Sequence, residues 1–343
     1  MYKQRFIEVE EALLRLEGIQ RPTLGRTFYV KKTTDADYGV FKANKNNYYD
    51  GQARVYTSIQ SAVNASLDGR CDLIIVGPGK WQEEVYIVGK RGLRIKGAGN
   101  GLGATESGAC RMRPSDATTH YAFTTKSGQS VSGAAFHVLS RSVEISGFYL
   151  DGGGGYTGVY LGGGLNGGIT GYTSETASGT HIHDNFFRGG SEGAIGVYMN
   201  GAKFGCLVED NFFERWTRAA IQMDAGNASN EHCIIRNNEI GADDSGTCYG
   251  VEIYGEGNSA LDCLLRENSF RDRAATNTFT FAVINNTGST GGLSLVRNSF
   301  ACNHPMQLLT TDWVSGNSYG FAGSATEDNN MAITENEAGS ENT

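Results

Sequence analysis

The strongest constraint on this chain is a unit that recurs six times between residues 182 and 319. Its asparagines are Asn185, Asn211, Asn238, Asn268, Asn298 and Asn317, at steps of 26, 27, 30, 30 and 19 residues. Three residues before each stands an apolar side chain: Ile182, Val208, Ile235, Leu265, Leu295 or Val314. Two residues after each stands Phe187, Phe213, Ile240, Phe270, Phe300 or Tyr319, a ring in every copy but one. A unit repeated at nearly fixed period is a stacking module, and it limits the fold before any other feature does.

Within a copy the apolar residues alternate. Cys206 and Val208 share one face, Leu207 and Glu209 the other, which is the period of a strand. The asparagine breaks the alternation, as expected of a residue that tolerates left-handed backbone and bonds its own turn. A second strand follows in each copy, through Val159/Leu161, Val197/Met199, Ile221/Met223, Val251/Ile253 and Val283/Asn285. Short strands at this period, with no helical stretch between them, predict an all-β chain wound as a parallel β-helix. Like residues then stack rung on rung, about 4.8 Å apart. Stacked asparagine amides can bond one another, and the Phe187–Phe213–Phe270–Phe300 and Cys206–Cys233–Cys263 columns fall inside the coil.

Composition agrees. The chain has 48 glycines and only 4 prolines in 343 residues, which suits many tight corners. A net charge of −8 argues against a nucleic-acid binder. Three of the seven cysteines share one interior ladder position, so they read as small buried apolar residues; a disulfide framework and a zinc site are not expected. Glu8, Glu10 and Glu11 stand where a signal peptide or membrane span needs an apolar run, so neither is expected.

Residues 1–22 predict an N-terminal α-helix whose Tyr2, Phe6, Val9, Leu13 and Leu16 form a seam spaced 4, 3, 4 and 3. Such a seam lies on its own domain, or forms a short coiled coil or docking peg. Residues 23–55 read as a connector or cap with one strand at Phe28–Val30. The β-helix spans 56–322, and 323–343 is an acidic tail, with 100–135 and 152–168 as long loops in the early rungs.

Three segments carry a family likeness: SIQSAV at 58–63, IIVGPGKWQEEVYI at 74–87 and GLRIKGAG at 92–99. Together they resemble the opening of pectin-lyase-like right-handed parallel β-helix proteins, in which a helix caps the coil and a Val-x-Pro-Gly-x-aromatic rung follows. The resemblance covers about residues 56–320 as architecture. It implies a right-handed coil and leaves activity open, because the superfamily holds lyases, hydrolases, esterases, epimerases and non-catalytic viral spikes.

For chemistry, outward positions of the second strand are Tyr160, Tyr198, Gln222, Glu252 and Ile284. Tyr160, Tyr198, Gln222 and Glu252 suit a glycan by stacking and hydrogen bonding; alternatively they pack under the long loops or a second subunit. Asp224 and Glu252, from neighbouring rungs, are the best catalytic pair on offer, set against the ordinary reading of carboxylates on a solvated face. Asp224 and Glu256 lie just beyond those outward positions, while Asp243 and Asp244, in a Gly/Ser turn, read as loop residues. His181 and His183 share a strand face but lack a third ligand, so no metal is assigned. The GAGNGLG run at 97–103 opens no helix, so no dinucleotide cofactor is expected.

A helical peg, a short β-helix of about eight or nine rungs (roughly 40 Å) and no export signal resemble phage virion spike and decoration proteins. That resemblance implies a non-enzymatic virion surface protein, made in the host cytoplasm. It would be a homotrimer docked to other virion proteins through residues 2–20, with a host surface glycan as ligand and no membrane insertion. The alternative is a polysaccharide lyase or glycoside hydrolase of the β-helix type.

Overall fold

The computed structural model describes residues 25–319 except 45–47, 50–51, 101–107, 115–121, 126–127, 129, 154, 163–175, 190–194, 202, 225–228, 243–247, 255–260, 273–277, 286–292 and 310–311. The seam residues Tyr2, Phe6, Val9, Leu13 and Leu16, the acidic tail, Asp243, Asp244 and Glu256 lie outside them.

Each turn of the chain lays down three strands. One turn runs Leu207–Glu209, Phe212–Glu214 and Ala219–Asp224, and the next begins at Ile234–Arg236. Equivalent strands pair in parallel into three long sheets. The ladder sheet has eleven strands, ending at Trp313–Ser315; the ring sheet has nine, from Gly79–Trp81 to Ser318–Tyr319; the face sheet has eight, from Val85–Val88 to Met306–Gln307. The result is an all-β, right-handed parallel β-helix, the hand that twisted parallel strands favour when the chain crosses between them.

The asparagines form one continuous amide ladder. Asn185 Nδ2 donates to Asn211 Oδ1 at 3.2 Å, Asn211 to Asn238 at 3.1 Å and Asn238 to Asn268 at 2.9 Å. Asn268 donates to Asn298, and Asn298 to Asn317, both at 3.0 Å. Each acceptor oxygen also takes the backbone N–H of the preceding asparagine, as Asn238 Oδ1 does from Asn211. The second amide hydrogen goes to backbone carbonyls, for Asn238 those of Val208 and Arg236. A fully partnered amide can be buried without the cost of an orphan polar group.

The expected backbone strain sits one residue earlier than predicted. Asp184, Asp210, Asn237, Glu267 and Arg297 have φ between 53° and 57°, and Gly316 has 62°; all six immediately precede a ladder asparagine. A left-handed non-glycine residue costs about 1 kcal/mol. The amide bonds of the next residue hold the bend, so almost any side chain is accepted there.

Inside the coil, Phe187 stacks on Phe213 at 4.5 Å and Phe270 on Phe300 at 4.9 Å, nearly parallel. Glycine on the facing strand makes room. A Cβ on Gly196 would lie 2.4 Å from Ala220 O and 2.7 Å from Phe213, and one on Gly250 would meet Ala282 O at 2.5 Å. Cys206, Cys233 and Cys263 are buried in one column, as expected.

The helix Ile59–Ala65 closes the first rung. Ser58 caps it by accepting from Ser61 N at 3.1 Å, and Ile59, Ala62 and Val63 are buried. Glu83 accepts from the backbone N–H groups of Ile59 and Gln60, at the helix end where negative charge is favoured. Two expectations shift. Thr27–Val30, assigned to a connector, pairs with Leu73–Val76 and is a strand of the ladder sheet. Cys110–Met112, assigned to a loop, alternates buried and half-buried and pairs with Gly79–Trp81 as a rung of the ring sheet. A short helix at Tyr38–Ala43 was not anticipated; it buries none of its residues. No described helix is long and apolar enough to cross a membrane.

Candidate functional site

The outward column of the face sheet reads Tyr86, His137, Tyr160, Tyr198, Gln222, Glu252, Ile284 and Gln307 along paired rungs. The register matches expectation at all five predicted positions. Their exposure does not. Tyr160, Tyr198, Gln222 and Glu252 are buried, as is Asp224 in the adjoining outward column. Of the two uses weighed for this face, packing under a loop is the one the structure shows. Phe123, from the hairpin Phe123–Thr124/Ser130–Val131, stacks on Tyr198 at 5.2 Å and edge-on against Tyr160 at 5.0 Å. Val131, Ala134, Leu139 and Ile195 complete an apolar cluster on the outside of the sheet. Alternation fixes which way a side chain points; it cannot say what another segment lays over it.

Beneath that cover lies a polar network. Tyr198 donates its hydroxyl to Asp224 Oδ2 at 2.6 Å, and Gln222 donates to Asp224 Oδ1 at 3.1 Å. Asn200 donates to the Tyr160 hydroxyl at 3.2 Å. One rung on, Arg218 grips Glu252 with both arms of its guanidinium, the Nε bond at 2.9 Å. Burial pushes the Glu252 carboxyl up to about 7, with Asp224 adding to the rise and Arg218 opposing it. The predicted pair is therefore brought onto adjacent rungs of one face, and the two carboxyls sit in different company: Asp224 accepts at both oxygens, while Glu252 is poised to carry a proton near neutral pH.

A second group on this face escaped sequence reading. His137 Nε2 lies 2.6 Å from Glu84 Oε1, and its ring stacks on Tyr86 at 4.6 Å. Glu84 also accepts from Ala134 N and the Tyr86 hydroxyl. Burial alone would raise the Glu84 carboxyl, but the His137 hydrogen bond and charge, with the other donors, hold it down to about 2. His137 was detectable as the outward residue between inward Phe136 and Val138. Arg218 was not, because it stands just before its strand, outside the alternating part.

On the ladder sheet, His181 and His183 stack at 4.1 Å and meet carboxylates: His181 with Glu209 at 2.7 Å, His183 with Glu144 and Asp184. Glu209 also pairs with Arg236 on the next rung, at 2.5 Å. Among the described residues no group of three ligands is arranged to hold a metal ion.

The fold and site thus define a right-handed parallel β-helix with a covered acid pair on one sheet. No protein-family model and no curated protein matches the chain. Among solved structures it is similar to an alginate lyase from Paenibacillus sp. str. FPU-7, at 12% identity and TM-score 0.39 over 86% of this chain and 97% of that one. It is similar to pectin methylesterase from carrot, at 11% identity and TM-score 0.37 over 81% and 88%. Pectin methylesterase PemA from Erwinia chrysanthemi matches at 9% identity and TM-score 0.35 over 88% and 91%. The coil rests on its own strand pairings, and these similarities transfer no residue roles.

Proposed function

We propose that the chain is a polysaccharide-cleaving β-helix protein of the hydrolytic kind, with its centre on the face sheet. The observation that supports this is Glu252, raised to about 7, one rung from Asp224 with two hydrogen-bond donors. Two carboxyls whose surroundings differ in this way divide the work of general acid and of base or nucleophile. Glu252 gives its proton to the leaving glycosidic oxygen, and Asp224 activates water or attacks the anomeric carbon. Arg218 sets the Glu252 orientation and Tyr198 that of Asp224. Both carboxyls are buried, so substrate reaches them only when this face opens. The test is release of reducing ends from capsular polysaccharide or lipopolysaccharide glycan. Loss of release in both Asp224→Asn and Glu252→Gln supports the reading; release undiminished in either variant removes that residue from the centre.

Burial of Asp224 and Glu252 favours a second reading, in which this network is structural. The chain is then a non-enzymatic virion surface protein, a homotrimer docked through residues 2–20, with the coil projecting toward a host glycan. Under it, Leu13→Asp with Leu16→Asp blocks particle attachment while leaving the coil folded. Attachment that survives the double change rejects the docking role.

A further inference from the structure

The outer face of the ladder sheet carries an apolar column, Leu207, Ile234 and Leu264, paired rung to rung and pointing away from the coil. Each is partly exposed, and none belongs to an apolar cluster among the described residues. At the corner before these strands stands Phe204, exposed, on the Leu207 rung. Glu231 pairs with it one rung on, and Leu261 follows two rungs on. The five apolar side chains span three rungs, about 10 Å of coil. Exposed apolar surface gathered in this way marks an interaction face.

Charges flank the column and are sorted by sign. Asp184, Glu209 and Asp210 stand on the Leu207 rung and the one before it, while Arg236, Arg266 and Arg297 stand on the three rungs that follow. Partners within the chain leave each end unbalanced. Asp184 meets His183, and Asp210 meets Asn237. Arg266 and Arg297 share Glu267, at 3.1 and 3.5 Å. Glu209 and Arg236 join the two ends at 2.5 Å.

We infer that this face binds a second copy of the chain, packed sheet to sheet about a two-fold axis that runs along the strands at the Ile234 rung. A two-fold contact uses one patch twice, so the patch must complement itself. This axis reverses the coil end for end and keeps each outward column on itself, with the strands of the two sheets nearly aligned. Leu207 then meets Leu264 of the second copy, Ile234 meets Ile234, and Phe204 meets Leu261. Glu209 comes opposite Arg266, and Asp184 opposite Arg297. Arg236 meets its own copy, each already paired with a Glu209, and Glu267, opposite Asp210, is held between two arginines. Arg94 and Lys96, two rungs before Asp184, fall beyond the last described rung of the second copy. A copy running the same way, as around a three-fold axis, sets acidic rungs against acidic rungs and arginine against arginine. The sorting by sign therefore selects the reversed copy.

Sedimentation equilibrium on the full chain tests this. The expected result is a species of twice the chain's 36.8 kDa. Ile234→Lys changes the axis position in both copies and weakens self-association about tenfold or more. Asp184→Arg and Arg297→Asp each weaken it about tenfold, since each spoils two pairs at once. The chain carrying both changes associates as the parent does, because the exchanged pairs form again. Positions 184 and 297 occupy equivalent left-handed turns, with φ 54° in each, so the exchange places each side chain where the fold already accepts it. A parent that stays monomeric, an oligomer whose mass survives Ile234→Lys, or a double exchange that fails to recover the parent's association overturns the inference. Where thermal melts show that Ile234→Lys destabilises the coil, Phe204→Ser, at an exposed ring, decides the question with an expected loss of about fivefold.

Discussion

The Tyr198 hydroxyl reaches from one rung to the next and bonds Asp224 Oδ2 at 2.6 Å, with both residues buried. A tyrosine predicted to greet solvent is instead a strut between rungs. Tyr198→Phe removes a buried donor and leaves the carboxylate short of a partner, which costs about 1–3 kcal/mol. Chemical denaturation measures that loss, and the same variant lowers any glycan cleavage without abolishing it, because Gln222 still orients Asp224.

Glu252 and Glu84 pull stability in opposite directions with pH. Glu252 is raised from 4.5 to about 7, so between these values the folded chain holds a proton that the unfolded chain has released. Its contribution is therefore present below about 4.5 and is lost as the pH climbs through 7. Thermal melts of Glu252→Gln lack that fall, which checks the assignment.

Glu84 behaves in the reverse sense. Held down from 4.5 to about 2, it contributes stability above 4.5 that disappears as pH drops toward 2. His137→Phe removes the largest partner that lowers it, so the acid limb of the stability profile moves up in pH. An unchanged acid limb in that variant assigns the shift to Ala134 N–H and Tyr86 instead.

The Asn238 side chain holds five hydrogen bonds across three successive rungs, four of them between buried groups. Asn238→Ala orphans several of them at once and is expected to cost about 3–5 kcal/mol. Asn317, at the less buried end of the ladder, ties down less, and Asn317→Ala costs about 1–2 kcal/mol by the same reasoning. Equal costs at the two positions would mean the ladder is not cooperative.

Gly196 has no room for a methyl group, with Ala220 O at 2.4 Å and the Phe213 ring at 2.7 Å from a built Cβ. Gly196→Ala forces strand and ring apart, at roughly 1–3 kcal/mol. Trimming the ring with Phe213→Leu in the same chain recovers part of that loss, read as a partial return of the melting temperature.

The repeated apolar–x–x–Asn–x–ring unit determined the coil, because a period-2 strand, a bend and an inward ring at fixed spacing have one efficient way to stack. It also determined register: Val159, Val197, Ile221, Val251 and Val283 align inside, and Tyr160, Tyr198, Gln222 and Glu252 align outside, as the alternation requires. Strain at Asp184 or Arg297 was less legible, since the asparagine that stabilises the bend is one residue away from the backbone that bends. Only the tertiary structure decided what happens on the outer face. Phe123 is remote in sequence from Tyr198 and carries no periodic signal, yet its ring turns an outward column into a covered one. Burial raises the Glu252 carboxyl, and strand pairing sets Lys80 beside Arg111. Those are properties of three-dimensional neighbours, which periodicity along one strand cannot encode.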